Sequence, residues 1–231
     1  ITIDKDYIIG GTGYLQNANQ IGYGYEEKGV KVSRPAGSTL TWHFVAPNVH
    51  DFMWAADPEF KLITRRISGG PVIHVLYNYD TAMLQQTFNN FSETNKARYN
   101  NDVQAYMKSV DAQWETIADA AVTVYPYITK NFGAYPYKQY SFIHGGDGGM
   151  EYPMGTLLAG PSLGTAFHEW MHTWYQMLLG TNESLYAWMD EGFTEWATDK
   201  VQDFYRQKLF EADKDNPARA RMMDSISKVL P

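Results

Sequence analysis

His168-Glu169-Trp170-Met171-His172 is the stretch that decides the fold, and Glu191 follows it after eighteen residues. Two histidines four residues apart lie about 40° apart around an α-helix, so both imidazoles project from one face. The eighteen intervening residues are enough for this helix to end and for a second helix to bring Glu191 back. A catalytic zinc site has three such nitrogen or oxygen ligands and one open position. The sequence therefore predicts one zinc ion, held by His168, His172 and Glu191.

Three further acidic residues stand beside these ligands in the sequence. Glu169 follows the first histidine directly, and we predict it to be the catalytic general base towards a metal-activated water. Glu195 lies four residues after Glu191 on the same helical face. It is interpreted either as the hydrogen-bond acceptor that orients a ligand imidazole or as a solvated surface carboxylate. Asp190 is a second candidate for the orienting role.

A second motif, Gly148-Gly149-Met150-Glu151-Tyr152-Pro153, precedes the first histidine. Glycines before an exposed strand let a substrate backbone approach closely, because no Cβ intervenes. An edge strand can pair with an extended peptide. We therefore predict Gly148, Gly149, Met150 and Glu151 to bind substrate, with the Glu151 carboxylate holding a positively charged α-amine. Taken alone, the segment fits a plain loop as well.

The two motifs together resemble the aminopeptidase N family of zinc metallopeptidases, within the gluzincins. The matching parts are the histidine motif, the stretch Glu191-Gly192-Phe193, and Gly148 to Glu151, which fits the family pattern G-x-M-E-N. Tyr135-Pro136-Tyr137 also fits, and the similarity covers residues 49–198. The resemblance implies a thermolysin-like catalytic domain with the same three zinc ligands, Glu169 as general base and Glu151 as the anchor for the free N-terminus of a peptide.

This chain departs from the family pattern at two places. Tyr152 stands where the family has asparagine, which changes the local substrate contacts. The family also has a transition-state-stabilising tyrosine some fifty or more residues beyond the third ligand, whereas only Tyr205 follows Glu191 here, and we do not assign it that role. We therefore expect a fragment of a longer enzyme, which lacks flanking domains and is weakly active or inactive by itself.

Composition and patterning indicate one α+β protein. The chain has 231 residues, of which 44% are hydrophobic, and this is enough for a sizeable core. Residues 1–35 are predicted as the end of an N-terminal β-rich domain or a linker, 36–206 as the catalytic domain, and 207–231 as the start of a further, truncated helical segment. In the catalytic domain, a mixed sheet precedes the helices that carry the ligands. The predicted strands cover residues 39–45, 49–55, 60–67, 72–79 and 139–144. The predicted helices cover residues 80–91, 93–110, 111–131 with an interruption near Pro126, 162–179 and 188–206, and a loop covers 151–161.

Several classes of partner are excluded by composition. The net charge is −7 and no basic run occurs, which argues against nucleic acid. No apolar stretch of about 18 residues is present, so no membrane-spanning segment is predicted. The chain has no cysteine, which rules out thiolate ligands and leaves the compartment open between periplasmic or exported, which we favour, and cytoplasmic.

Peptides with a free N-terminus are the predicted substrates, and two other functions stay open. A gluzincin endopeptidase would use the same metal centre, with no amine-binding role for Glu151. A non-catalytic peptide-binding module of the same fold usually loses a ligand or the base, whereas all four residues are intact here. The remaining histidines, His43, His50, His74 and His144, are interpreted as structural, with His144 the one that would border the cleft.

Overall fold

Strands and helices fall into separate groups along the chain, which is the α+β class that the sequence predicted. The structure is a computed structural model and describes residues 1–213. Its strands are β1 (Thr2–Asp4), β2 (Ile8–Gly11), β3 (Tyr14–Leu15), β4 (Thr39–Thr41), β5 (Phe44–Val45), β6 (Trp54–Asp57), β7 (Lys61–Arg66), β8 (Val72–Tyr77), β9 (Gln139–His144), β10 (Met150–Tyr152) and β11 (Gly155–Leu158). Its α-helices are α1 (Ala18–Ile21), α2 (Thr81–Asn89), α3 (Glu93–Ala97), α4 (Val103–Phe132), α5 (Leu163–Met171) and α6 (Phe193–Ala212). Two π-helical turns cover Thr173–Leu178 and Trp188–Gly192.

The central sheet has five strands in the order β10-β11-β9-β8-β7. It is mixed, as predicted, because β9 runs parallel to β8 and β11, whereas β7 and β10 are antiparallel to their neighbours. β10 has a neighbouring strand on one side only within residues 1–213. The outer N–H and C=O groups of such an edge strand are available to an extended peptide.

Most predicted strands are found, although two are shifted. β7, β8 and β9 lie within the predicted ranges 60–67, 72–79 and 139–144. The predicted strand at 39–45 is divided into β4 and β5, and the one at 49–55 begins only at Trp54, as β6. The predicted loop at 151–161 is wrong, because β10 and β11 form a hairpin in which Glu151 pairs with Thr156.

The first 57 residues form three two-stranded antiparallel pairs, β1–β4, β2–β6 and β3–β5. Their apolar side chains, including Ile9 and Trp42, form a core together with Leu76 of β8 and Ile143 of β9. The segment 1–35 therefore contributes three strands that pair with residues 39–57 and pack on the central sheet.

Helix α4 is continuous over 30 residues, so the predicted break at residues 110–111 and the interruption near Pro126 are both wrong. An apolar stripe along α4 is buried, as Trp114, Ile117 and Ala118 show, and it continues past the proline to Ile128. Proline removes one helical hydrogen bond, but Pro126 lies on the exposed side, where water can reach the freed carbonyl. Packing of this stripe on the sheet therefore outweighs the local cost. No helix among residues 1–213 is both long and apolar enough to cross a membrane.

The two helices that carry the histidine motif and Glu191 also differ from prediction at their ends. α5 ends at Met171 rather than at residue 179, and a π-helical turn follows with non-helical torsions at Tyr175 and Gln176. Leu178, in this turn, is 53% exposed. α6 continues to Ala212, beyond the predicted end at 206. The predicted segment 207–231 begins inside α6, and its residues 214–231 lie outside the described residues.

His74, on β8, makes the stability of the fold depend on pH. Burial, and then the positive charge of Arg66, lower the pKa of His74 from 6.5 to about 4. Between these two values the unfolded chain binds a proton that the folded chain does not, so stability is lost as the pH falls through this window. We expect the free energy of unfolding to be about 2 kcal/mol lower at pH 5 than at pH 7 through this residue.

Denaturant unfolding of wild type and His74→Gln at both pH values measures this difference. In the variant the part of the pH dependence due to His74 should disappear, even if glutamine lowers stability at both pH values. The same pH dependence in the two proteins would contradict the assignment.

Candidate metal centre

The three predicted ligands converge on one point in space. His168 Nε2 lies 3.2 Å from His172 Nε2, and Glu191 Oε2 lies 3.0 Å from the first and 3.7 Å from the second. Helix α5 supplies His168, its C-terminal cap residue is His172, and the π-helical turn before α6 supplies Glu191. Two imidazole nitrogens and one carboxylate oxygen that face one another at these distances are a donor set that fits zinc.

Helix α5 holds its histidines in place by burying its opposite face. Ser162 caps the helix, since its hydroxyl accepts a hydrogen bond from the Thr165 N–H at 3.3 Å. Phe167 and Trp170 are buried in the main core, where the Trp170 ring contacts Tyr140 of β9. The Tyr140 hydroxyl also donates to the backbone carbonyl of Glu169. The motif helix is therefore fixed to the centre of the sheet.

Each ligand imidazole has a carboxylate at its other ring nitrogen. His168 Nδ1 lies 3.0 Å from Glu195 Oε2, the geometry of the predicted orienting role. His172 Nδ1 lies 2.6 Å from Asp190 Oδ1 and 3.3 Å from the Thr194 hydroxyl. Such partners fix the tautomer and orientation of metal-binding histidines. Sequence reasoning missed Thr194, although its position three residues after Glu191, on the same helical face, was a usable signal.

Glu169 lies beside the ligands but is turned towards the glycine-rich segment. Its side chain is 6% exposed, and its Oε2 has no hydrogen-bond partner within residues 1–213. Burial first, and then the nearby carboxylates of Glu151, Glu191 and Asp190, raise the pKa of Glu169 to about 8. A bound cation would oppose this shift, because it stabilises the charged carboxylate.

The predicted substrate-binding segment lies against the same site. Glu151 on β10 has a carboxylate oxygen within 4.8 Å of ligand atoms of both Glu169 and His172. Burial is the main cause that raises the pKa of Glu151. Met150 is 37% exposed on the same edge strand. The acid predicted to hold an α-amine is therefore in contact range of the predicted base and one ligand.

Gly149 is the glycine whose lack of a side chain the site requires. A Cβ built there would lie 2.3 Å from Glu169 Oε1 and 2.9 Å from Thr165 Cγ2, whereas one at Gly148 meets nothing within 4 Å. We expect Gly149→Ala to displace the Glu169 carboxylate and to lower the peptide hydrolysis predicted from the sequence at least about tenfold, since misplacement of a base is costly. The amount of zinc taken up by the variant and by wild type should be equal.

Gly146→Ala is the matched control, because a Cβ there meets nothing within 4 Å, neither glycine has a positive φ, and Gly146 is not among the predicted substrate-binding residues. Turnover by the two variants and their metal content are measured side by side. Equal activity in both would show that Glu169 tolerates the added methyl group.

His144, interpreted as structural, and Tyr205, given no catalytic role, make contacts of their own. His144 Nδ1 contacts the Asn78 carbonyl at 2.8 Å, and its ring packs near Trp114. Tyr205 is buried, with its ring against Phe167 of the motif helix. The site thus consists of the two motifs and their immediate supports. Neither the protein-family models nor the curated proteins that were searched give a match to this chain.

Proposed function

We propose that this chain is the catalytic domain of a zinc-dependent aminopeptidase with a thermolysin-like fold, of the aminopeptidase N type. One observation carries the proposal. The donor atoms of His168, His172 and Glu191 face one another, while the carboxylates of Glu169 and Glu151 lie beside the same His172. These five side chains correspond to three ligands, a base and an amine anchor.

His168, His172 and Glu191 would hold the zinc ion. When bound, zinc supplies a Lewis acid that polarises a carbonyl group and makes water more acidic near neutral pH. The donor set suits zinc, and the partners of the two Nδ1 atoms, the Glu195 carboxylate for His168 and the Thr194 hydroxyl for His172, favour the tautomers that leave both Nε2 atoms free to bind it.

Glu169 would move the proton. Its carboxylate accepts a proton from the attacking water as the water oxygen bonds to the peptide carbonyl carbon. The same carboxyl group then delivers this proton to the amide nitrogen, so that the C–N bond breaks and an amine leaves. Burial beside Gly149 limits access of bulk water to the carboxylate and leaves its Oε2 without a competing partner among the described residues.

Glu151 and β10 would position the substrate. The open edge of β10 can pair with the substrate backbone, and Glu151 can bind the protonated α-amine. A peptide with a blocked amine would leave this partly buried carboxylate without a partner, which costs binding energy. This requirement would make the enzyme an exopeptidase.

Zinc-loaded protein given a leucyl tripeptide and its N-acetylated form tests the proposal. We expect release of leucine from the free peptide, at a kcat/KM at least about 10²-fold above cleavage of the acetylated one. Glu151→Gln should reduce this ratio of the two kcat/KM values. Undiminished cleavage of the acetylated peptide would favour a gluzincin endopeptidase. Binding of peptides without any turnover would favour a non-catalytic peptide-binding module.

A further inference from the structure

An aromatic groove is formed by residues on both sides of Glu191 in the sequence, and Gly192 is the lining residue next to it. It is lined by Tyr175, Trp188, Gly192, Phe193 and Trp196 and has a volume of about 560 Å³. Its rings contact one another, since Phe193 stacks on Tyr175 at 5.8 Å and lies 5.9 Å from Trp188. Trp188 is nevertheless 63% exposed and Trp196 52% exposed. The rings therefore form an ordered wall with open faces.

This groove belongs to the most apolar exposed surface of the described chain. Fourteen large apolar side chains are exposed within residues 1–213, and seven of them lie between Leu178 and Trp196. Contiguous exposed apolar surface, rather than isolated apolar residues, indicates a binding surface.

The groove also lies within a long segment that has no basic residue. From Gln139 to Asp199 the sequence contains neither lysine nor arginine, although the whole chain has 19. The segment carries eight acidic residues: Asp147, Glu151, Glu169, Glu183, Asp190, Glu191, Glu195 and Asp199. A bound zinc ion would offset two of these charges. The surface around the metal centre and the groove therefore attracts cations.

We propose that the groove binds a lysine or arginine side chain of the peptide. The apolar stem of such a side chain can pack on Trp188 and Trp196 while its charge lies over a ring face, and tryptophan is the best partner for this contact.

Within residues 1–213, no lysine or arginine side chain makes a cation–π contact with a ring of the groove. The cation–π contacts in this part of the chain are made by Arg34, Lys61 and Lys208. Lys200 ends the base-free segment one helical turn after Trp196 and makes no such contact. The ring faces of the groove are therefore available to a cation from outside.

The position of the groove indicates which part of a peptide it would bind. Gly192 follows Glu191 directly, so the start of the groove is one Cα spacing, about 3.8 Å, from the ligand's backbone. We expect the basic side chain to be a few positions from the N-terminus of the peptide, since an extended chain advances about 3.4 Å per residue. That the bound peptide is also the substrate rests on the proposed function.

Binding of fluorescein-labelled peptides to zinc-loaded Glu169→Gln protein tests the inference without turnover. The peptides share an N-terminal leucine and carry arginine, glutamine or norleucine at the third and fourth positions. We expect the arginine peptide to bind at least tenfold more tightly than the other two in 50 mM NaCl, with a smaller difference in 500 mM NaCl. An equal affinity for norleucine would overturn the cationic part of the inference.

Trp188→Ala and Trp196→Ala should each reduce the preference for arginine to about twofold or less. Trp54→Ala, at an exposed tryptophan on β6 outside the groove, should leave it unchanged. Two groove variants are used because the Trp196 ring also contacts Phe132, so its loss alone could disturb folding. An unchanged preference in a folded Trp188→Ala protein would overturn the inference.

Two further outcomes separate this inference from the proposed function. A preference for arginine with no hydrolysis by the wild-type protein would reject the aminopeptidase and keep the groove as a peptide-binding site. Hydrolysis with no preference for arginine would support the aminopeptidase and reject the groove as a binding site for a basic side chain. Concentration-dependent dimerisation that Trp196→Ala abolishes, without peptide preference, would replace the peptide by a second copy of this chain.

Discussion

If the proposed aminopeptidase function is right, we expect Glu169→Gln to lower the rate of peptide hydrolysis by about 10²–10⁴-fold, the usual contribution of a general acid–base group, and to bind as much zinc as the wild type. Glutamine keeps the shape of the side chain but accepts no proton from water. Because Glu169 is not one of the three converging ligands, the metal site should be unaffected. Steady-state kinetics together with metal analysis of the same samples measure both parts.

Stability gives an independent check of the Glu169 variant. The wild-type carboxylate is buried, with one oxygen unpartnered among the described residues, and removing a buried charge of this kind does not destabilise a protein. We therefore expect zinc-free Glu169→Gln to unfold at the same temperature as zinc-free wild type or at a higher one. Glu115→Gln, at an exposed glutamate on α4, is the control. Retention of full activity by Glu169→Gln would reject the base assignment.

Glu191→Ala is the second change with a large expected effect, since it removes one of three predicted ligands. We expect the variant to lose zinc on dialysis against buffer under conditions in which wild type keeps one ion per chain. A ligand that binds only the folded state raises the unfolding temperature, so we expect added zinc to raise that of wild type but not that of Glu191→Ala. Stoichiometric zinc in the variant would show that the ligand set is wrong.

Two other substitutions, both on α6, are compared with Glu191→Ala. Glu195→Gln weakens the contact to His168 Nδ1 but leaves the ligands, so we expect zinc affinity to fall by about 10–100-fold. Asp203→Asn breaks only an exposed ion pair with Arg206 and should change zinc affinity little. A chelator titration of Glu191→Ala, Glu195→Gln and Asp203→Asn ranks their zinc affinities. An Asp203→Asn effect as large as that of Glu195→Gln would indicate a general loss of fold instead.

The arrangement of the site was predictable because it depends on spacing within regular helices. Histidines four residues apart share a face of α5 regardless of tertiary context, and Glu195 shares a face with Glu191 for the same reason. The approach of Gly149 to Glu169 follows from a different rule, since glycine before an edge strand signals that something packs closely. These relations need no knowledge of distant contacts.

The errors concern features that tertiary packing decides. α4 continues through Pro126 because its buried apolar stripe packs on the sheet. The sequence around the proline shows its cost to the helix but not this packing. The predicted helix to residue 179 is broken at Tyr175, which is extended, and at Gln176, whose φ of 98° is one that glutamine rarely adopts. The sequence predicts a loop after Glu151 because strands of three and four residues give too short an alternating pattern to indicate a hairpin.

The parallel pairing of β8 with β9 has a consequence for how the protein folds. These neighbours in the sheet are separated along the chain by the whole of α2, α3 and α4. Parallel pairing across so long a loop is slow to form, because the chain must lose the entropy of closing it before contacts compensate. Tyr140 of β9 contacts Trp170 and the Glu169 carbonyl, so the motif helix docks on a strand that pairs late. We expect refolding chains to acquire helical signal first and the ability to capture zinc last.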